Sequence, residues 1–232
     1  MNLLLGLVGI ALAGAPEDVA IASSKDAPEA TRMEAFERLV TLGATDMKLV
    51  SLLAQDEDAS ARERWVAIRT LGKIGGDRSR NILGTLLDNP QPAMRAAAAS
   101  AVGDMGDTEF VGKLCVLVDD PAVIVRAAAA GALGTLGQSE AVPHLSDAIE
   151  DKKSTFRGQA PWVRKHYVVA LGAIGHTSAY PALLRTLDDG DPEVASLTLG
   201  ALEKVAGFSY AKGRSKKQER EAWRRHISNE LR

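Results

Sequence analysis

The stretch Asp120–Gly137, DPAVIVRAAAAGALGTLG, is written again and again along this chain, and its period limits the possible folds more than any other feature. Aligned on the arginine, the series is Arg32, Arg64, Arg95, Arg126 and Arg164, with Ala195 in the sixth slot, at spacings of 32, 31, 31, 38 and 31 residues. Aligned on the closing glycine, it is Gly43, Gly75, Gly106, Gly137 and Gly175, with Ala206 in the sixth slot and the same spacings. Gly72, Gly103, Gly134 and Gly172 fall three residues earlier and keep step. Independent markers in one register mean one structural unit repeated, so the search for a fold starts among repeat architectures.

Each unit predicts two helices. The first runs from the opening acid to the closing glycine, as in Ala93–Met105 or Val123–Leu136, with apolar residues recurring at three- and four-residue spacing. Asp120 and Asp191 stand where N-caps belong, each before a proline suited to the first helical position. Gly106, Gly137 and Gly175 suit a left-handed C-cap. The second helix follows in Arg78–Leu87, Glu109–Leu117, Glu140–Ile149 and Ala179–Leu187. Two short helices cannot bury both apolar faces alone, so neighbouring units must supply the missing half of each core. The alanine runs Ala96–Ala99 and Ala127–Ala130 and the interior glycines allow first helices to approach closely. Each such glycine costs a helix about 0.8–1 kcal/mol, which makes sense only where packing needs the space. The expected fold is therefore all-α: an α-solenoid of about six helix pairs spanning 29–209, closed by a capping helix in 210–232.

The opening D-P-x-x-x-V-R of Asp120–Arg126 and the closing L-G-x-[LI]-G of Leu133–Gly137 resemble HEAT repeats, in the short bacterial form also found in phycobilisome lyases. The resemblance covers residues 29–207. The tetratricopeptide and ankyrin signatures are absent. In such repeats the acid and the arginine commonly form a ladder joining successive units. The resemblance thus implies rungs at Arg32, Arg64, Arg95, Arg126 and Arg164, with Asp58, Asp120 and Asp191 as partners. Asn89 replaces the acid in one unit and Ala195 the arginine in the last, which weakens the ladder at both places.

Two segments depart from the repeat. Residues 1–15 contain an 11-residue apolar run, Leu3–Ala13, too short to span a bilayer, which takes about 20 residues, and suited to the core of a secretory signal peptide. Small-x-small cleavage sites end at Ala13 and Ala15; cleavage at the second leaves Pro16 first, so Ala13 is preferred. The expected location is periplasmic or secreted, with a cytoplasmic alternative in which residues 1–15 cap the array. Residues 16–28 read as a leader. The second departure is the jump in period from 31 to 38, which places seven extra residues in or near Asp151–Ala160. Phe156, Trp162 and Tyr167, three of ten aromatics in the chain, lie within twelve residues there. Insertions in repeat arrays fall in loops on one edge, and aromatic and basic residues favour interfaces. Lys152, Lys153, Phe156, Arg157, Trp162 and Lys165 are therefore the candidate partner-binding residues; packing of Phe156 and Trp162 into a bend of the stack is the alternative.

The basic segment 211–232 carries eight Lys or Arg against three Glu and predicts a helix, Lys216–Leu231, with Trp223, Ile227 and Leu231 on one stripe. Covering the last open core face explains it, and a basic arm for phosphate or acidic lipid is the alternative. Reaction chemistry is poorly represented. His144, His166 and His176 could converge into an open zinc site, but their spacing is not diagnostic. No His-Glu dipeptide of the iron-binding HEAT hydroxylases is present, and no nucleophile elbow, phosphate loop or EF-hand loop. Acids at the turns serve as helix caps more simply than as catalysts. The lone Cys115, in an apolar run, reads as a buried thiol. No catalytic, metal or cofactor residue is assigned. The net charge of −2 gives no global argument for nucleic acid. The sequence thus points to a non-catalytic scaffold binding a protein or peptide. A bilin-lyase-like or other HEAT-type enzyme, and nucleic-acid binding through the basic tail, are the alternatives.

Overall fold

The computed structural model describes residues 14–45, 47–150 and 160–231, and all regular structure among them is helical. The chain divides into two compact units, Met1–Met105 and Gly106–Arg232. Within each unit, helix pairs stack side by side in the α-solenoid manner.

The first unit contains α1 (Ala15–Ser23), α2 (Glu29–Thr45), α3 (Lys48–Gln55), α4 (Ala61–Ile74), α5 (Gly76–Leu86) and α6 (Pro92–Met105). Helices α2, α4 and α6 are first helices, and each packs on the next, while α3 and α5 fill the second layer. The segment read as a leader is largely α1. It packs on α2 and α4, and Ala15 and Val19 join Leu39 and Val66 in one buried cluster. Asp18, on the same helix, forms an ion pair with Arg38 of α2 at 2.6 Å. Nothing in 1–13 lies among the described residues, so the expected signal peptide falls outside them.

The second unit contains α7 (Val111–Leu117), α8 (Val123–Leu136), α9 (Val142–Glu150), α10 (Ala160–Ile174), α11 (Tyr180–Thr186), α12 (Pro192–Ala206) and α13 (Lys216–Glu230). A 3-10 turn leads into each of α7, α9 and α11, at Thr108–Phe110, Ser139–Ala141 and Thr177–Ala179. First helices α8, α10 and α12 pack in series, α9 lies on α10, and α11 on α12. Their buried leucines Leu114, Leu145 and Leu183 hold one position of the repeat, as the period requires.

The markers have physical work at both ends of the first helices. Gly137 closes α8 at φ 68°, and its N–H donates to Leu133 O at 3.1 Å. In the sixth unit the left-handed residue is Gly207, at φ 75°, one position after the expected slot at Ala206. Asp191 caps α12 as expected, accepting from Glu193 N–H at 2.8 Å. Asp120 does not cap α8, which opens two residues later at Ala122. Its carboxylate instead closes a turn by accepting from Ala122 N–H at 2.8 Å. The interior glycines let backbones touch. A Cβ at Gly172 would lie 2.7 Å from Ala201 Cα, and one at Gly134 would lie 3.0 Å from Ala170 Cα.

The basic terminal segment forms α13, opened by a capping box in which Ser215 and Gln218 exchange side-chain and backbone bonds. Trp223 and Ile227 are fully buried, and α13 packs on α11. Leu231 departs from the expected stripe: it ends the helix and is 56% exposed.

Candidate functional site

Register from the marker arginine shows which faces of the first helices stay open. In the second unit, Ile124 and Trp162 stand two residues before Arg126 and Arg164, on helices that pack against each other. Gly131, Val169 and Gly200 stand five residues after the arginine slots of α8, α10 and α12. All five are exposed. Ala173 extends the row at one turn beyond Val169. On α8 and α10 the outward face is therefore largely apolar and low, with Trp162 as its large projecting ring, while the matching positions of α12 include the exposed Glu193 and Lys204. Trp162 is 46% exposed and meets the half-buried His166 edge-on, centroids 4.8 Å apart. Burial, with help from the neighbouring Lys165 charge, lowers the His166 pKa below that of a free imidazole.

The same register in the first unit carries charge instead. Glu37 and Arg69 take the position of Val169, and Arg69 and Lys73 of α4 both meet Asp104 of α6. Arg69 also lies over the Trp65 ring at 5.7 Å. Glu17 and Asp18 of α1 face Glu34, Glu37 and Arg38 of α2 across an open groove. Asp18, by its hydrogen bond and its charge, raises the pKa of Arg38.

The expected binding residues are placed as follows. Lys152, Lys153, Phe156 and Arg157 lie outside the described residues. Trp162 is exposed and does not fill a bend. Lys165 is tied to Glu193 of α12 and lies 4.0 Å from Asp191, so its charge serves the α10–α12 junction. Those contacts raise its pKa, the Glu193 hydrogen bond foremost. Tyr167, the third aromatic, is buried and donates from its hydroxyl to Val118 O at 3.2 Å. What the sequence did not single out is Ile124, Val169 and the small residues beside them. Alignment of all repeats on the arginine, read for outward positions alone, would have shown them.

The arginine series has one role with several partners. Arg164 forms an ion pair with Asp189, in the turn before α12, not with the expected Asp191. Asp189 can do so because its other oxygen already closes a turn, accepting from Asp191 N–H at 2.9 Å. Arg95 and Arg126 donate to the carbonyls of Asn89, at 2.8 Å, and Asp120, at 3.3 Å, both six residues earlier. Arg32 donates to Ser24 O at 3.4 Å and does not reach Asp58, whose own N–H goes to Asp56. Arg64 donates to Gln91 Oε1 at 3.5 Å.

Among the described residues no group of His, Cys, Asp and Glu has the geometry to hold a metal ion. His144 and His176 are exposed, and the His176 ring caps the turn before α11 by accepting from Ser178 N–H at 3.2 Å. The histidines considered for zinc are thus not drawn together. Cys115 is buried, and desolvation raises its thiol pKa. Among the described residues no helix is long and apolar enough to cross a membrane.

Comparison with known proteins adds family and fold. The family model for HEAT repeats matches residues 47–122 and 83–160, and that for the PBS lyase HEAT-like repeat matches 163–189. No curated protein matches the sequence. Among solved structures, the chain is similar to the complex of CpcE and CpcF of phycocyanin lyase from Nostoc sp. PCC7120. The TM-score is 0.60 at 24% identity, over 69% of this chain and 65% of that one, less than two thirds of its length. At that identity the likeness shows the fold alone. A designed armadillo repeat protein in complex with the peptide (KR)4 gives a TM-score of 0.49 at 19% identity, covering 82% of this chain and 99% of that chain. Human deoxyhypusine hydroxylase in complex with glycerol gives 0.35 at 18%, covering 83% of this chain and 96% of that chain. Neither of these two bears on function.

Proposed function

The chain belongs to the HEAT-repeat proteins, and from that premise we propose that it is a non-catalytic scaffold taking a protein or peptide on the outward face of α8, α10 and α12. The observation that carries this reading is the exposed apolar row Ile124, Trp162 and Val169. A helix face turned to water is ordinarily polar, as the matching face of the first unit is. Trp162 has the character of an interface anchor, a large ring fixed by two torsions on a regular helix. The small residues around it leave a partner backbone room to lie close. Repeat arrays use such extended surfaces for binding.

The test is cross-linked capture from the native compartment with wild type and a Trp162→Ala, Val169→Ser double variant, both positions being exposed and cheap to change. Loss of a partner from the variant, with unchanged circular dichroism, supports the surface. Equal recovery of every partner rejects it. An absorbance shift on mixing wild type with a free bilin would turn the reading towards a lyase-like activity.

We further propose that the apolar run ending at Ala13 directs export. Among the described residues the first buried one, Ala15, comes directly after Gly14, whose carbonyl accepts the Asp18 N–H at 2.8 Å. Cleavage after Ala13 keeps both, whereas cleavage after Ala15 removes them. Intact-mass measurement of protein from the native host is expected to show a chain starting at Gly14. A chain still carrying Met1 refutes export.

A further inference from the structure

Of the marker arginines only Arg64 is fully buried. Arg64, on α4, is only 3% exposed, and its Nε, like those of Arg126 and Arg164, has no hydrogen-bond partner. Among the described residues its guanidinium has one acceptor, the neutral Gln91 Oε1, at the long distance of 3.5 Å. Among the described residues no carboxylate forms an ion pair with it. A guanidinium does not give up its proton, so the charge stays, and a buried charge without a counter-charge is costly.

The equivalent rung in the second unit shows what is missing. There Asp189 turns one oxygen to Asp191 N–H and the other to Arg164. Asn89 holds the same place before α6. Its Oδ1 makes the same turn bond, accepting from Gln91 N–H at 2.9 Å. The atom left for the arginine is then the amide nitrogen, a donor where an acceptor belongs. Beyond it α6, a helix of 14 residues, opens at Pro92 and presents the positive end of its dipole. The Gln91 contact brings the Arg64 guanidinium to the residue whose carbonyl accepts the first N–H groups of α6, and Gln91 itself is exposed.

We propose that Arg64, Asn89 and the N-terminus of α6 form a binding site for a single oxyanion, a carboxylate or a phosphate group. It displaces the Gln91 side chain and takes the place that the Asp189 carboxylate holds in its own unit. Either group offers paired oxygens to a planar guanidinium, the geometry of a two-point charged hydrogen bond. The site is independent of the apolar face proposed above.

The test uses the full chain in thermal unfolding, with sodium chloride at matched ionic strength as the reference and inorganic phosphate or acetate as probes. Wild type is expected to gain about 2–4 °C with saturating phosphate, for a stabilisation near 1 kcal/mol in a chain of this size. Acetate gives the same gain if a carboxylate suffices and none if three oxygens are needed; either result keeps the site. The Asn89→Asp variant supplies the anion from within. It is expected to melt higher than wild type in chloride and to lose the phosphate gain. The Arg64 Nε–H resonance is expected to shift on phosphate titration in wild type and not in Asn89→Asp. No phosphate-specific gain in wild type, or the same gain in Asn89→Asp, overturns the proposal.

Discussion

A methyl group added at Gly172 would meet Ala201 Cα at 2.7 Å, and one at Gly72 would meet Ala101 O at 2.5 Å. These neighbours are backbone atoms and cannot swing aside. Gly172→Ala is therefore expected to destabilise by about 1–3 kcal/mol, read from urea unfolding. Gly131 and Gly200 lie inside helices with nothing within 4 Å of the added Cβ. There alanine is expected to stabilise by about 0.5–1 kcal/mol through helix propensity alone. Opposite signs for one substitution at two glycines of the same helix layer would show that packing sets the need. Titration offers a second residue-scale check. Burial and Lys165 lower the His166 pKa, so the folded state resists its protonation. Above the unfolded value near 6.5 both states are neutral and nothing is lost; as pH falls below it the unfolded chain gains a proton first and stability drops. His166→Gln is expected to flatten stability between about pH 6.5 and pH 5, measured by chemical unfolding. A pH profile identical to wild type would assign the acid loss elsewhere.

Among the elements, α13 carries the clearest prediction. Trp223 is fully buried and stacks on Phe208, with centroids 5.4 Å apart, while Tyr210 and His226 meet it edge-on. Trp223→Ala is expected to cost about 3–5 kcal/mol, and Leu231→Ala, at an exposed helix end, close to nothing. Comparable losses from both would contradict the packing described. The element scale is also where the sequence was most and least readable. The boundaries of α8 follow from the period and from Gly137, because a left-handed cap leaves a mark at a single position. In sequence α1 reads as a leader because nine residues with three acidic or polar positions show no stripe, and its helicity comes from docking on α2 and α4. The pairing of Arg164 with Asp189 was also hidden. In a run of three acids around a glycine, only the turn geometry decides which carboxylate faces the arginine. The outward apolar face is hidden in the sequence for a different reason. Ile124 and Val169 read as core residues in any helical pattern, and only the neighbouring helices show that they are exposed.

For the molecule as a whole, charge and stacking carry separate consequences. Residues 211–232 hold a surplus of five positive charges, and the remainder of the chain −7. Much of the surplus is engaged within the second unit: Arg220 and Arg224 reach Asp188, Lys216 reaches the buried Glu219, and Arg214 lies over Tyr210. A gel shift with duplex DNA at low salt is expected to show no binding that deletion of 211–232 abolishes. Stability in a stacked array is a sum of local and nearest-neighbour contributions. Hydrogen exchange in Trp223→Ala is accordingly expected to quicken first in α11, α12 and α13, with α2 and α4 last to respond; uniform quickening would reject this picture. The near-contact of backbones at Gly72, Gly134 and Gly172 has a mechanical corollary. Neighbours that already touch cannot be pushed closer, so within each unit the first-helix layer is expected to resist compression. Bending that would crowd that layer is blocked, and bending that opens it is the direction left free.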